Sequence, residues 1–197
     1  VRVVPESLAP WALDLSADGT VVVISGGEAS VRVIPLDGSP QRFVASADQR
    51  ILNTAISADG RLVAVPGRFD NRRALQIWDL ETSGMREFDI PAGHEAVDDF
   101  FTDVEFSPDG GLLMSLGGRG VRLDPSTGEF TDVFDGVSDF ALDGEGRLLL
   151  GRPHADGMGG FATVLDLVTG TSTTLHSHGS GVHALAIDPS GAVVATV

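Results

Sequence analysis

The sequence predicts an all-β fold: a partial β-propeller of about four four-stranded antiparallel blades, with incomplete blades at both ends. Three observations carry this. Five turns of one kind recur between apolar runs: Ser16-Ala17-Asp18-Gly19, Ser57-Ala58-Asp59-Gly60, Ser107-Pro108-Asp109-Gly110, Asp143-Gly144-Glu145-Gly146 and Asp188-Pro189-Ser190-Gly191. Their last glycines lie 41, 50, 36 and 45 residues apart, and a period of about 40–45 residues built from strands alone marks a blade array. A second reversal follows in each complete unit, at Asp37-Gly38, Glu81-Thr82-Ser83-Gly84, Pro125-Ser126-Thr127-Gly128 and Val168-Thr169-Gly170. A β-sandwich or barrel also has short strands and glycine turns, but neither requires a period held over four units.

Taken in chain order, Val1–Val4 reads as the last strand of an earlier blade. The first blade spans about 11–45. The second, 51–90, is the clearest: strands at Ile51–Ile56, Arg61–Val65, Ala74–Leu80 and Met85–Ile90. A third spans 101–134 and a fourth 137–175. A partial blade, 182–197, follows. Inner strands such as Leu148-Leu149-Leu150 are apolar on both faces, as sandwiched strands must be. The outer strand alternates, with Glu87 and Asp89 against Phe88 and Ile90. The whole chain therefore reads as one incomplete domain and as a segment of a longer protein.

Composition narrows the partners. There are 13 basic residues, all Arg, against 28 acidic, for a net charge of −15. Such a surface repels phosphate backbones and anionic lipid, so neither nucleic acid nor a membrane surface is an expected partner. No apolar run reaches the roughly 18–20 residues that span a bilayer. With no Cys there is no disulfide framework and no thiolate chemistry. A cytoplasmic location is the expectation.

Several motifs resemble those of the WD40 repeat. Gly93-His94, Phe106-Ser107-Pro108-Asp109-Gly110 and Ile77-Trp78-Asp79-Leu80 stand where that repeat carries a Gly-His before its first strand and a Trp-Asp closing its third. The resemblance covers nearly the whole chain. It implies a propeller completed by further blades, and a non-catalytic role in binding proteins or peptides. Ser177-His178 repeats the Gly-His position, so the resemblance makes Trp78, Asp79, His94 and His178 structural residues. Ile34, Leu123 and Leu165 replace the tryptophan elsewhere. No blade holds the full hydrogen-bonded set, which leaves apolar packing to hold the blades and places Trp78 in the core. The segment from Ser177 to Gly191 also resembles propeller arrays fused to bacterial serine/threonine kinases.

Connection lengths direct the search for a site. The first and third connections of each blade are short. The longer segments, Pro66–Arg73, Pro91–Asp99 and Pro153–Gly160, fall at the opposite end, and long polar loops on one face are where binding concentrates. Candidate partner-binding residues are Arg68, Asp70, Asn71, Arg72 and Arg73 in the first loop, His94, Glu95, Asp98 and Asp99 in the second, and His154, Asp156 and Met158 in the third. Arg clusters suit carboxylates of a partner peptide; the plain alternative is that Arg72 and Arg73 neutralise neighbouring acids. The His and acid spacing matches no metal-ligand pattern, and no nucleophile stands in a recognised frame. The Gly-rich stretches lack the strand-to-helix setting of a phosphate loop. The expectation is therefore a non-catalytic scaffold or sensor without cofactor or metal. Its rivals are a regulatory domain of an attached kinase or NTPase, and a propeller hydrolase or lactonase.

Overall fold

A Ser-x-Asp-Gly turn closes on itself through bonds within four residues, and the molecule is organised around that unit. The computed structural model describes residues 10–26, 29–48, 51, 53–91, 101–116, 118–137, 139–153, 159–167, 169–179, 181–182 and 184–197, the side chains of residues 101, 102 and 176–178 excepted. In the first turn the Gly19 amide donates to the Ser16 carbonyl at 2.8 Å, and the repeats at Gly60, Gly110 and Gly191 do the same. Gly19, Gly60, Gly110, Gly146 and Gly191 all have φ between 69° and 84°, where a side chain would be strained. The serine hydroxyl then donates to the aspartate two residues on: Ser16 to Asp18 at 2.7 Å, Ser57 to Asp59 at 2.6 Å, Ser107 to Asp109 at 2.5 Å. Asp188 and Ser190 make the same bond with the order reversed. In the fourth turn Asp143 serves instead, accepting the Arg147 amide at 2.8 Å and its guanidinium at 2.6 Å.

These hydroxyls hold Asp18, Asp59 and Asp188 below the usual carboxylate range. At Asp109 the Ser107 hydroxyl, joined by the Arg122 guanidinium, lowers the value to about 2. Burial raises Asp143, but its bonds to Arg147 outweigh that and leave it lowered.

The chain divides into two compact units, Val1–Phe106 and Ser107–Val197. The first unit begins with a sheet of β1 (Pro10–Leu15), β2 (Val21–Gly26), β3 (Ser30–Pro35) and β4 (Arg42–Ser46). A second sheet follows: β5 (Ala55–Ile56), β6 (Leu62–Phe69), β7 (Arg72–Asp79) and β8 (Met85–Asp89). β9 (Phe101–Phe106) heads the third sheet, whose other strands are β10 (Leu112–Leu116), β11 (Arg119–Asp124) and β12 (Glu129–Asp135). β13 (Asp139–Leu142), β14 (Arg147–Pro153), β15 (Gly160–Asp166) and β16 (Ser172–His178) form the fourth, and β17 (Leu185–Ile187) with β18 (Val194–Thr196) a two-stranded fifth. Within every sheet, neighbours in space are neighbours in sequence and pairing is antiparallel. A Greek-key sandwich would instead bring distant strands together.

In the first unit, Val23, Val31, Val33 and Val44 of the first sheet pack on Ile56, Val63, Val65 and Ala74 of the second, with Phe69 and Ile51 completing the cluster. The opposite face of the first sheet leaves Trp11, Leu13 and Leu15 about half exposed or more. Asp14 crosses between the sheets, its carboxylate accepting the Ile56 amide at 2.8 Å. A backbone bond also joins the two turns, Ala17 amide to Ala58 carbonyl at 3.1 Å. In the second unit, Leu113, Phe134 and Val137 pack on Phe140, Leu142, Leu148 and Leu150. The rings of Phe134 and Phe140 meet edge to face with centroids 5.8 Å apart. There the Gly144 amide bonds the Pro189 carbonyl at 2.8 Å.

The second sheet departs from expectation at two places. Its inner strand is not Ile51–Ile56 but the two residues of β5. The side chains of Asn53 and Thr54 take over the missing ladder: Asn53 caps the Thr54 amide at 2.8 Å, and the Thr54 hydroxyl donates to the Ala64 carbonyl at 3.0 Å. The loop expected over Pro66–Arg73 does not exist. β6 and β7 continue through it and pair as far as Phe69 and Arg72. Asp70 and Asn71, with φ of 48° and 61°, form the two-residue turn whose twist matches antiparallel strands. Pro66 is tolerated because its phase points towards β5, which has already ended. The carbonyls of Ala64 and Arg68, in the same phase, are taken by Thr54 and by the Asp48 amide, so no bond to β7 is lost.

Candidate binding site on the second sheet

The alternation of β7 puts Arg72, Ala74, Gln76 and Trp78 on one face. The register opposes Ala74 to Asp89, Gln76 to Glu87 and Trp78 to Met85. A hydrogen-bonded array follows from that pairing. The Trp78 indole donates to Oε1 of Gln76 at 3.1 Å. Nε2 of Gln76 donates to Glu87 at 2.9 Å. Arg72 then reaches Glu87 at 2.7 Å and Asp89 at 2.5 Å. Both ends of the Gln76 amide are thus committed and the side chain is buried, so its orientation is set before any ligand arrives.

Beside this array lies an open groove of about 560 Å³, walled by Phe43 to Ser46 of β4 with Ser30 of β3, and floored by Gln76 and Trp78. Phe43 is 62% exposed and carries the Arg32 guanidinium 4.6 Å from its ring centroid. The groove combines aromatic and aliphatic walls, two hydroxyls and one fixed amide. That composition suits an apolar side chain on a polar backbone.

Trp78 is therefore not wholly a core residue. One side packs on the apolar cluster; the other lines the groove. Asp79 accepts Arg61 at 2.8 Å and the amides of Glu81 and Thr82, which fastens the β7–β8 reversal. The Arg61 bond is the largest cause of its carboxyl lying well below the usual range.

The expected loop residues fare unequally. Arg68 and Arg73 oppose one another in the β6–β7 ladder, and Asn71 is fastened through its amide to Asp48 at 2.7 Å. Arg72 is paired with Glu87 and Asp89. His94, Glu95, Asp98, Asp99, His154, Asp156 and Met158 lie outside the described residues. His178 falls in β16, with its side chain outside them. Among the described residues no group of three His, Cys, Asp or Glu could hold a metal ion. Sequence reasoning missed Gln76, Glu87 and Phe43. The even-numbered face of β7 held the available signal, since Arg72, Gln76 and Trp78 alternate there.

No protein-family model matches the sequence, and no curated protein does. Solved structures do match. Hydrazine synthase of Kuenenia stuttgartiensis superposes with a TM-score of 0.73 at 17% identity, covering 99% of this chain and 57% of that one. U3-55K gives 0.68 at 13% identity, and the WD40 repeats of RRP9 give 0.67 at 13%; each covers 93% of this chain and 56% of its own. The fold these structures share with this chain is that of a β-propeller. The chain spans a little over half of each of these structures.

Proposed function

We propose that this chain is a non-catalytic interaction module that receives a peptide segment of a protein partner in the groove between β4 of its first sheet and β7 of its second. The preset groove between β4 and β7 is the observation that supports the reading, because its amide floor and aromatic walls need no rearrangement to accept an apolar side chain. The likeness to the WD40 repeats of RRP9 and to U3-55K supports it by analogy of fold alone. The test is affinity capture with the full-length protein and with Phe43→Glu. Phe43 is exposed, so the change leaves the fold intact while placing a charge at the groove wall. The expectation is a protein partner retained by the parent and lost with the variant. Equal retention by both, or no partner for either, would remove the basis for this reading.

A further inference from the structure

The four outer strands are not alike. β4, β8, β12 and β16 each end their sheet. Three of them are broken by a one-residue shift in register: β4 opposite Val31/Arg32, β12 opposite Gly120/Val121 and β16 opposite Ala162/Thr163. Such bulges twist an outer strand and are one of the devices that stop a sheet edge from recruiting another chain. β8 has none. Its ladder runs unbroken from Ala74 opposite Asp89 to Trp78 opposite Met85.

The phase of that ladder identifies the groups on offer. The Ile90 amide bonds the Arg73 carbonyl, and the Asp79 amide bonds the Gly84 carbonyl, so the even-numbered residues of β8 face β7. The amides and carbonyls of Met85, Glu87 and Asp89 therefore point away from β7, to a side that no described strand covers. We propose that β8 is an acceptor edge for an extended basic peptide, which adds as a fifth antiparallel or parallel strand to the second sheet. This rests on the interaction reading above and names the chemistry of the partner.

Charge selects the occupant. One face of β8 carries Glu87 and Asp89, which among the described residues share the one guanidinium of Arg72, so that two carboxylates face one cation on a chain of net −15. The other face carries Phe88, with the Arg86 guanidinium 5.0 Å from its ring centroid. A strand beside β8 is matched when Arg or Lys on its first face alternates with apolar residues on its second. A second copy of β8 is a poor match: antiparallel pairing centred on Glu87 would set that carboxylate against its own counterpart.

The probe is a blocked six-residue peptide alternating Val and Arg, titrated against the full-length protein. Three comparisons accompany it: the same peptide N-methylated at alternate amides, its Val/Glu counterpart, and the protein variant Glu87→Gln/Asp89→Asn. Binding is expected to weaken at least tenfold on N-methylation and to be absent for the Glu peptide. It should fall several-fold in the variant, and the amides of Met85, Glu87 and Asp89 should gain hydrogen-exchange protection. Equal binding by the N-methylated peptide, or protection elsewhere with none on β8, overturns strand addition. That outcome leaves capture of a partner through Phe43 standing, so the two ideas fail separately.

Discussion

Replacing Ser16 by Ala tests whether the turn hydroxyls hold the hairpins. Ser16 is 2% exposed. Its oxygen donates to Asp18 at 2.7 Å and accepts the Val21 amide at 3.0 Å. Asp18 is at the surface and keeps the amide and hydroxyl of Thr20, so losing one donor there costs little. The Val21 amide loses its acceptor beside a buried site, where an unmet donor costs about 1–3 kcal/mol. Val21 is only half-buried, which favours the lower part, about 1–2 kcal/mol, or roughly 3–6 °C in Tm for a chain of this size. Both tryptophans, Trp11 and Trp78, lie in the first unit, so tryptophan fluorescence reports the unit that contains the change. The effect also has a pH signature. The Ser16 hydroxyl is the main reason Asp18 is lowered. A lowered carboxylate stabilises the fold above its unfolded value and loses that contribution as pH falls through the folded one. The gap between parent and variant should therefore be wider at pH 7 than at pH 3. A Tm within 1 °C of the parent at pH 7 would refute the reasoning.

Three further outcomes follow from the packing. Trp78→Ala removes a side chain that is half-buried rather than enclosed, so the cost should be about 2–3 kcal/mol, below the range of about 3–5 for a fully buried one; urea midpoints measure it. Gly120→Ala would drive a Cβ into the Phe134 ring, which itself packs edge to face on Phe140, and should destabilise the second unit by about 2–3 kcal/mol as overpacking does. For Asp14, burial raises the carboxyl above its unfolded value, so its contribution is fullest at low pH and declines as pH rises through the folded value. Asp14→Asn should remove that decline, its urea midpoint gaining on the parent's between pH 4 and pH 7.

The turns were legible because their chemistry is local. Ser16, Asp18 and Gly19 meet within four residues, and the same spelling recurs down the chain. Trp78-Asp79 was legible as the close of a strand for the same reason. The hairpin at Asp70-Asn71 was not, because Pro66 in the run before it reads as an interruption. Only the early end of β5 shows why a proline costs nothing there. Nor was the site legible. Gln76 and Glu87 meet through register, eleven residues apart, and Asp14 meets Ile56 across forty-two. The bulges that distinguish β4 from β8 leave no composition signal at all.

The backbone bonds between successive turns, Ala17 to Ala58 and Gly144 to Pro189, bear on where this chain can grow. A residue inserted into either member of such a pair would pull apart two sheets at once, even though the turn sits at the surface. Among the described residues the Glu81–Gly84 reversal has no such backbone tie and is free of that penalty. Tags, reporters or protease sites belong there, and the same asymmetry gives evolution its cheapest room for length variation.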